Sequence, residues 1–232
     1  MKLLSGLVIC VAVAGVGVGL TSPGVATARA MLSPAASSPR LDGIAGAASS
    51  STGILPPQNP SESLAPSPNF TDDGDCAASA LDLSNTCTTD VEKAIDNARS
   101  VLESMSGLSL NLSAFEAMTV PEQLFVITNL ERTDRGLPAI SGLTSQLDSV
   151  AQTGASNNGD PDLTASTLTG GASVRSWASV WAGGTSNALG SDYYWMYDDG
   201  PGSSNGSCTS PSAPACWGHR DALLGTFAST ST

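Results

Sequence analysis

The chain has 232 residues, with 9 basic against 21 acidic side chains and a formal net charge of −12 near neutrality. Such a surface offers no basic cluster to neutralise phosphate, which excludes nucleic acid and anionic headgroups as natural partners. It favours solubility and says little about fold.

Residues 1–30 read as an export signal. Lys2 supplies the positive start, and Leu7–Leu20 (LVICVAVAGVGVGL) is an unbroken run of apolar residues and glycine. Pro23-Gly24 then leads into VATARA, where Ala28 and Ala30 have the A-x-A spacing of a cleavage site. The apolar run is shorter than the roughly 20 residues of a spanning helix, so cleavage rather than anchoring is expected. The mature N-terminus is expected at Met31 or Arg29. Cleavage before Met31 removes Lys2 and Arg29 and leaves a secreted chain without a stable membrane span, 7 basic against 21 acidic.

Residues 31–75 are rich in Ser, Pro and Ala (SPAASSPR, LPPQNPSESLAPSPNF) and hold too few bulky apolar residues to repay ordering. They read as a flexible linker. Cys10 leaves with the signal, and Cys76, Cys87, Cys208 and Cys216 remain as two local pairs. An even count in an exported chain reads as disulfides. Three connectivities are open, and the local one, Cys76–Cys87 with Cys208–Cys216, is expected. Zinc is the competing reading and is not the expected one, because the spacings are wide and His219 is the one histidine.

Residues 76–118 form a disulfide-tied helical segment. Thr89-Asp90-Val91-Glu92 has the form of a capping box, and Val91, Ile95, Ala98, Leu102 and Met105 recur at helical spacing up to Gly107. The main domain, 119–232, opens with a second capping box, Thr119-Val120-Pro121-Glu122. Its helix carries Leu124, Ile127 and Leu130 and ends at Arg135-Gly136-Leu137-Pro138. A third helix is predicted from Thr144 to Ala155, a loop from Asn157 to Gly184, and a fourth helix from Ser186 to Met196. A turn at 198–202 precedes the Cys208–Cys216 loop, and Asp221–Leu224 reads as a short terminal helix. Strand signals are nearly absent.

Most catalytic patterns fail on this chain. No G-x-S-x-G elbow or HExxH occurs, and the paired cysteines leave no free thiol nucleophile. Asn157–Asp162 and Asp72-Asp73-Gly74-Asp75 are oxygen-rich but lack the twelve-residue calcium loop closed by Glu; they read as acidic turns. Asn69, Asn111 and Asn205 begin glycosylation sequons. Tyr193, Tyr194, Trp195 and Tyr197 cannot all face one core, so at least one ring belongs to the surface or a cleft.

The landmarks then fall into a recognisable order. Asn129-Leu130-Glu131-Arg132 with Arg135-Gly136-Leu137-Pro138, the LDSVAQTGA helix, Trp195-Met196, and Gly218-His219-Arg220-Asp221-Ala222-Leu223-Leu224 resemble the motifs of the CAP superfamily. That superfamily comprises the cysteine-rich secretory, antigen 5 and pathogenesis-related proteins and secreted bacterial SCP-like relatives. The resemblance spans about residues 119–225 and is most specific at Gly-His-Arg. It implies an α+β fold, a three-layer α-β-α sandwich that is secreted and disulfide-tied. Here the sheet is expected to be incomplete, because only Gly225–Thr232 follows the Gly-His-Arg segment; a truncated chain or a lost sheet is the expectation.

The family's cleft holds two His and two acidic residues and sometimes a divalent cation. In this chain only His219 is present, since Gln152, Thr153 and Gly154 stand where the first His would fall. Trp181-Ala182-Gly183-Gly184 stands where an acidic partner is usual. No cofactor is therefore expected. The leading expectation is a non-catalytic extracellular binding module for a lipid, wall or other small ligand, its cleft lined by His219, Arg220, Trp181, Trp195 and Tyr194. The alternative is an extracellular hydrolase using His219 with Asp198, Asp199 or Asp221 as orienting acid.

Overall fold

The computed structural model describes residues 6–14, 59–61, 63, 76, 82–140, 142–161, 174–183, 185 and 187–225. Most of the linker, Asn69 and the Asp72–Asp75 turn lie outside the described residues. The elements in order are β1 (Gly6–Ala14), α1 (Asn85–Glu103), α2 (Leu112–Glu116), α3 (Val120–Asp134), α4 (Ser145–Ser156), β2 (Val174–Gly183), α5 (Ala188–Tyr197) and α6 (Gly218–Leu224). The fold is predominantly helical, and β1 pairs antiparallel with β2 in a two-stranded sheet.

β2 corrects the loop expected over 157–184. VRSWASVWAG carries two valines and two tryptophans, which suit a pleated, half-buried surface. The intervening Ser, Ala and Gly residues mask that signal in the sequence. β1 falls inside the apolar run read as the export signal, and it runs from Gly6 opposite Gly183 to Ala14 opposite Val174.

The helices start where side chains catch free amides. α1 begins four residues before the Thr89 position expected, because Ser84 accepts from the Cys87 N–H. It ends at Ser104 in a left-handed conformation rather than at Gly107. Gly107 serves a different purpose: a Cβ there would lie 2.6 Å from the Asp96 carboxyl, which accepts from the Leu108 N–H. The α3 capping box is present, with Glu122 accepting from both the Thr119 N–H and its hydroxyl. Thr144 caps α4, and Asn187 caps α5. Asn111 of the second sequon caps α2, a short helix the periodicity did not reveal. α6 starts at Gly218, three residues earlier than read from sequence.

One core joins the two segments that sequence divides at residue 118. Cys87, Val91, Ile95 and Ala98 of α1 share a buried cluster with Ile127 of α3, Leu189 and Met196 of α5 and Leu223 of α6. Both expected disulfides are formed, Cys76–Cys87 and Cys208–Cys216. The Asn-Leu-Glu-Arg stretch is now explicable in physical terms. Asn129 exchanges two hydrogen bonds with the Ile140 backbone, fixing the chain beyond α3. Arg132 bridges the Pro138 and Leu223 carbonyls, tying that turn to the end of α6.

Between α1, α3, α5 and α6 lies a buried ionic network. Arg99 donates to Glu131 and Asp134; Arg135 donates to Glu131, Glu103 and the Tyr197 hydroxyl; Arg220 donates to Glu103 and the Met196 carbonyl. Burial alone would make Arg135 less basic, but Glu131 and Glu103 outweigh it and hold its charge firmly. Asp192 sits fully buried in the same place, and burial, then repulsion from Glu131, push its carboxyl well above the usual range. Breaking one member of such a network strands a charge, a cost of about 3–5 kcal/mol.

Candidate functional site

The network aims α6 at the outside of the molecule. Arg220 is buried, its guanidinium lying 5.9 Å from the Tyr197 ring centroid and 5.7 Å from that of Trp217. His219, one residue earlier, leaves the helix about 100° around its axis and so faces a different surface. That surface is a cleft of about 320 Å³ lined by Trp181, Ala182, Gly183, Thr185, Tyr194, Trp195, Asp198, Asp199, Ser204, Asn205 and His219. Of the ring run, Tyr193, Trp195 and Tyr197 are buried, and Tyr194 is the half-buried one.

Asp199 is the centre of the polar wall. Its Oδ1 accepts from His219 Nδ1 at 2.6 Å and from Asn205 Nδ2 at 2.7 Å. Its Oδ2 accepts from the backbone N–H groups of His219 at 2.9 Å and Arg220 at 3.3 Å. The bond to Asp199 outweighs the burial that would favour neutral imidazole, so His219 is held above its ordinary value, with Asp160 adding a smaller push. With Nδ1 engaged, Nε2 is the ring nitrogen left for solvent or ligand.

Asp198 has a different environment from its neighbour. It accepts from the Ser204 N–H and hydroxyl, but burial dominates and, with repulsion from Asp199, lifts it to about 6. The loop bearing both acids is closed tightly. The Trp217 ring lies against Gly200, where a Cβ would come within 2.1 Å, so no larger residue fits. The linker reaches this loop too: Ser63 bonds the Gly200 N–H and the Pro201 carbonyl.

Four of the five cleft residues expected from sequence are therefore together: His219, Trp181, Trp195 and Tyr194. Arg220 is not, because its charge is spent inside the core. Among the orienting acids, Asp199 holds His219. Asp221 points elsewhere and accepts from Asn59, and Asp198 engages Ser204. Ser204, Asn205 and Thr185 were missed, since no spacing rule marks a loop that folds back by six residues. Asn205, read as a sequon, uses its amide on Asp199 and the Ala215 carbonyl, so a glycan there would disrupt the wall.

A divalent cation does not fit these residues. Asp199 spends both oxygens on N–H donors, His219 Nδ1 is spent on Asp199, and Asp198 holds Ser204. No cluster among the described residues could ligate a metal. Nor is any described helix long and apolar enough to cross a membrane. No family model, no curated protein and no solved structure matches this chain.

Proposed function

We propose that this is a secreted, CAP-type binding module whose cleft takes a short polyhydroxylated ligand, of the kind a cell-wall saccharide presents. The observation that carries the reading is the state of the cleft's hydroxyls. Ser204 is committed to Asp198 and Thr185 to Ser191, so neither faces His219 as a nucleophile faces its base. What remains suits recognition. Trp181 and Tyr194 offer ring surface, and Asp198, Asn205 and His219 offer polar partners around it. The Trp181 Nε1–H is buried and has no acceptor among the described residues, so it is the ring face of Trp181 that can serve a ligand. At about 320 Å³ the cleft is at the small end for ligand sites, which favours a short polar ligand over a lipid. The CAP sandwich remains part of this proposal, supported by the Gly-His-Arg segment and by the packing roles of Asn129 and Arg132.

The His219–Asp199 pair also supports a second reading, a hydrolase in which His219 activates water and Asp198, near pH 6, supplies a proton. One experiment separates the two. The exported protein is titrated with soluble wall oligosaccharides and, separately, with lipid micelles, following tryptophan fluorescence, and is treated with an activity-based hydrolase probe. Saturable oligosaccharide binding, weakened at least about ten-fold in Tyr194→Ala, without probe labelling, is expected. Binding of lipid alone, or a turnover that falls about a hundred-fold in folded His219→Ala, would replace this proposal.

A further inference from the structure

Among the described residues β2 has one strand partner, β1, and β1 lies in the segment read as the export signal. Residues 6–14 pair with 183–174 in antiparallel register, with one irregularity at Val13/Ala14. α4 packs against β1 as well as β2, so the strand lies in a slot with β2 on its hydrogen-bonding side and a helix against it. Its sequence, GLVICVAVA, has no charge and no side chain larger than Leu or Ile. Export processing at residue 30 removes this strand and leaves β2 and α4 in the protein. A single strand with an open row of N–H and C=O groups is a template for pairing, and a sheet needs at least a second strand.

We infer that the slot beside β2 in the processed protein is an acceptor for an extended, uncharged apolar segment of another protein. The segment binds antiparallel, in the register that residues 6–14 hold. Main-chain ladder bonds supply affinity and alternate side chains supply selection. The sequence that holds this register is uncharged and free of aromatic residues, whereas a second copy of β2 would bring Arg175, Trp177 and Trp181 to register positions held by Val, Ala and Leu, which argues against it. Leu7 and Val8 lie opposite Ala182 and Trp181, both of which line the cleft, so the bound segment's N-terminal end sits at the cleft's rim. The inference rests on the secretion reading above and is independent of which ligand the cleft takes.

The test uses protein purified from culture supernatant, its N-terminus established by intact mass. The probe is a synthetic peptide of residues 6–14 with Cys10→Ser and two lysines at each end for solubility. Saturable one-to-one binding is expected, with hydrogen exchange of alternate amides in 174–183 slowed at least about ten-fold. A control peptide with Val8→Asp and Val11→Asp, which carries the same lysines and a charge on each face, is expected to bind at least about ten-fold more weakly. Four results would overturn the inference. They are no protection at 174–183 on adding peptide, protection already present without it, a concentration-dependent dimer that protects the same amides, or a supernatant form that keeps residues 1–30. A processed protein that binds oligosaccharide but not peptide would sink this inference and leave the cleft reading intact.

Discussion

Asp199→Asn is the most informative single change, because Asp199 serves four donors from a side chain that is 1% exposed. An amide keeps one acceptor oxygen and turns the other into a donor. Two of the four N–H groups, either the His219 and Asn205 side-chain pair or the His219 and Arg220 backbone pair, are then left facing an NH₂. Each buried donor so stranded costs about 1–3 kcal/mol, so the variant should lose about 2–6 kcal/mol in urea unfolding. The second readout is cleaner still. His219 is the one histidine in the chain, so its Cε1–H gives a single NMR titration curve. In the wild type the Asp199 bond holds the imidazole above its ordinary value. In Asp199→Asn, burial acts against the charged ring with little to oppose it, and the midpoint should fall below the wild-type one. The linkage sign follows. A raised histidine contributes stability that is complete below its unfolded value near 6.5 and fades as pH rises through the folded value. The gap between wild type and variant should therefore narrow on the alkaline side. A variant that folds with an unchanged His219 titration would refute the assignment of Asp199 as the orienting acid.

Asp198 supplies an independent pH test. Its carboxyl is raised from 3.8 to about 6, so its contribution is intact below the lower value and is lost as pH rises through the upper one. At 1.36 kcal/mol per unit that is at most about 3 kcal/mol, and Asp198→Asn, which keeps the Ser204 contact, should remove this slope between pH 4 and 7. Parallel stability profiles of the two proteins would contradict it. In the core, Glu131→Gln should cost about 3–5 kcal/mol by removing the carboxylate that Arg99 and Arg135 share, whereas Asp192→Asn, at a carboxyl whose charge burial and Glu131 already disfavour, should cost less; chemical denaturation at pH 7 ranks them, and equal losses would count against this ranking. For export, mass spectrometry of culture supernatant is expected to find Met31 or Arg29 at the N-terminus, and a secreted chain beginning at Met1 would end that reading.

Elements set by local chemistry were legible in the sequence, and those set by distant contacts were not. The Thr119–Glu122 capping box placed the start of α3 to the residue, because both partners lie within one turn of chain. The disulfides were legible for the same reason, as each joins cysteines close in sequence. α1 was placed too late because the Thr89–Glu92 pattern is as good a cap on paper as Ser84, and only the Cys87 amide, tied down by its disulfide, decides between them. β2 was invisible because its apolar residues are separated by Ser, Ala and Gly, and its pairing partner is more than 150 residues away in sequence. The ionic core was equally hidden. Arg220 was expected in the cleft, and no local spacing pairs Arg99 with Glu131 or Arg220 with Glu103 until four helices bring them together.

The cleft shows the same limit at the scale of two neighbouring residues. Asp198 and Asp199 are identical in sequence terms, and either could have been named the partner of His219. Their difference arises from how the next twenty residues return. The helix that begins at Gly218 presents two backbone N–H groups and an imidazole to Asp199, and Asn205 adds an amide, so this carboxyl is surrounded by donors. The loop at 203–205 gives Asp198 one serine, which does not offset its burial and the repulsion from Asp199, so its carboxyl is raised to about 6. One acid thus becomes a fixed acceptor that orients the histidine. The other becomes a group able to give or accept a hydrogen bond, which is the property a hydroxyl-bearing ligand requires of its site. That division of labour is a product of the Arg220 anchor and the Trp217–Gly200 contact, which set the angle at which α6 meets the loop.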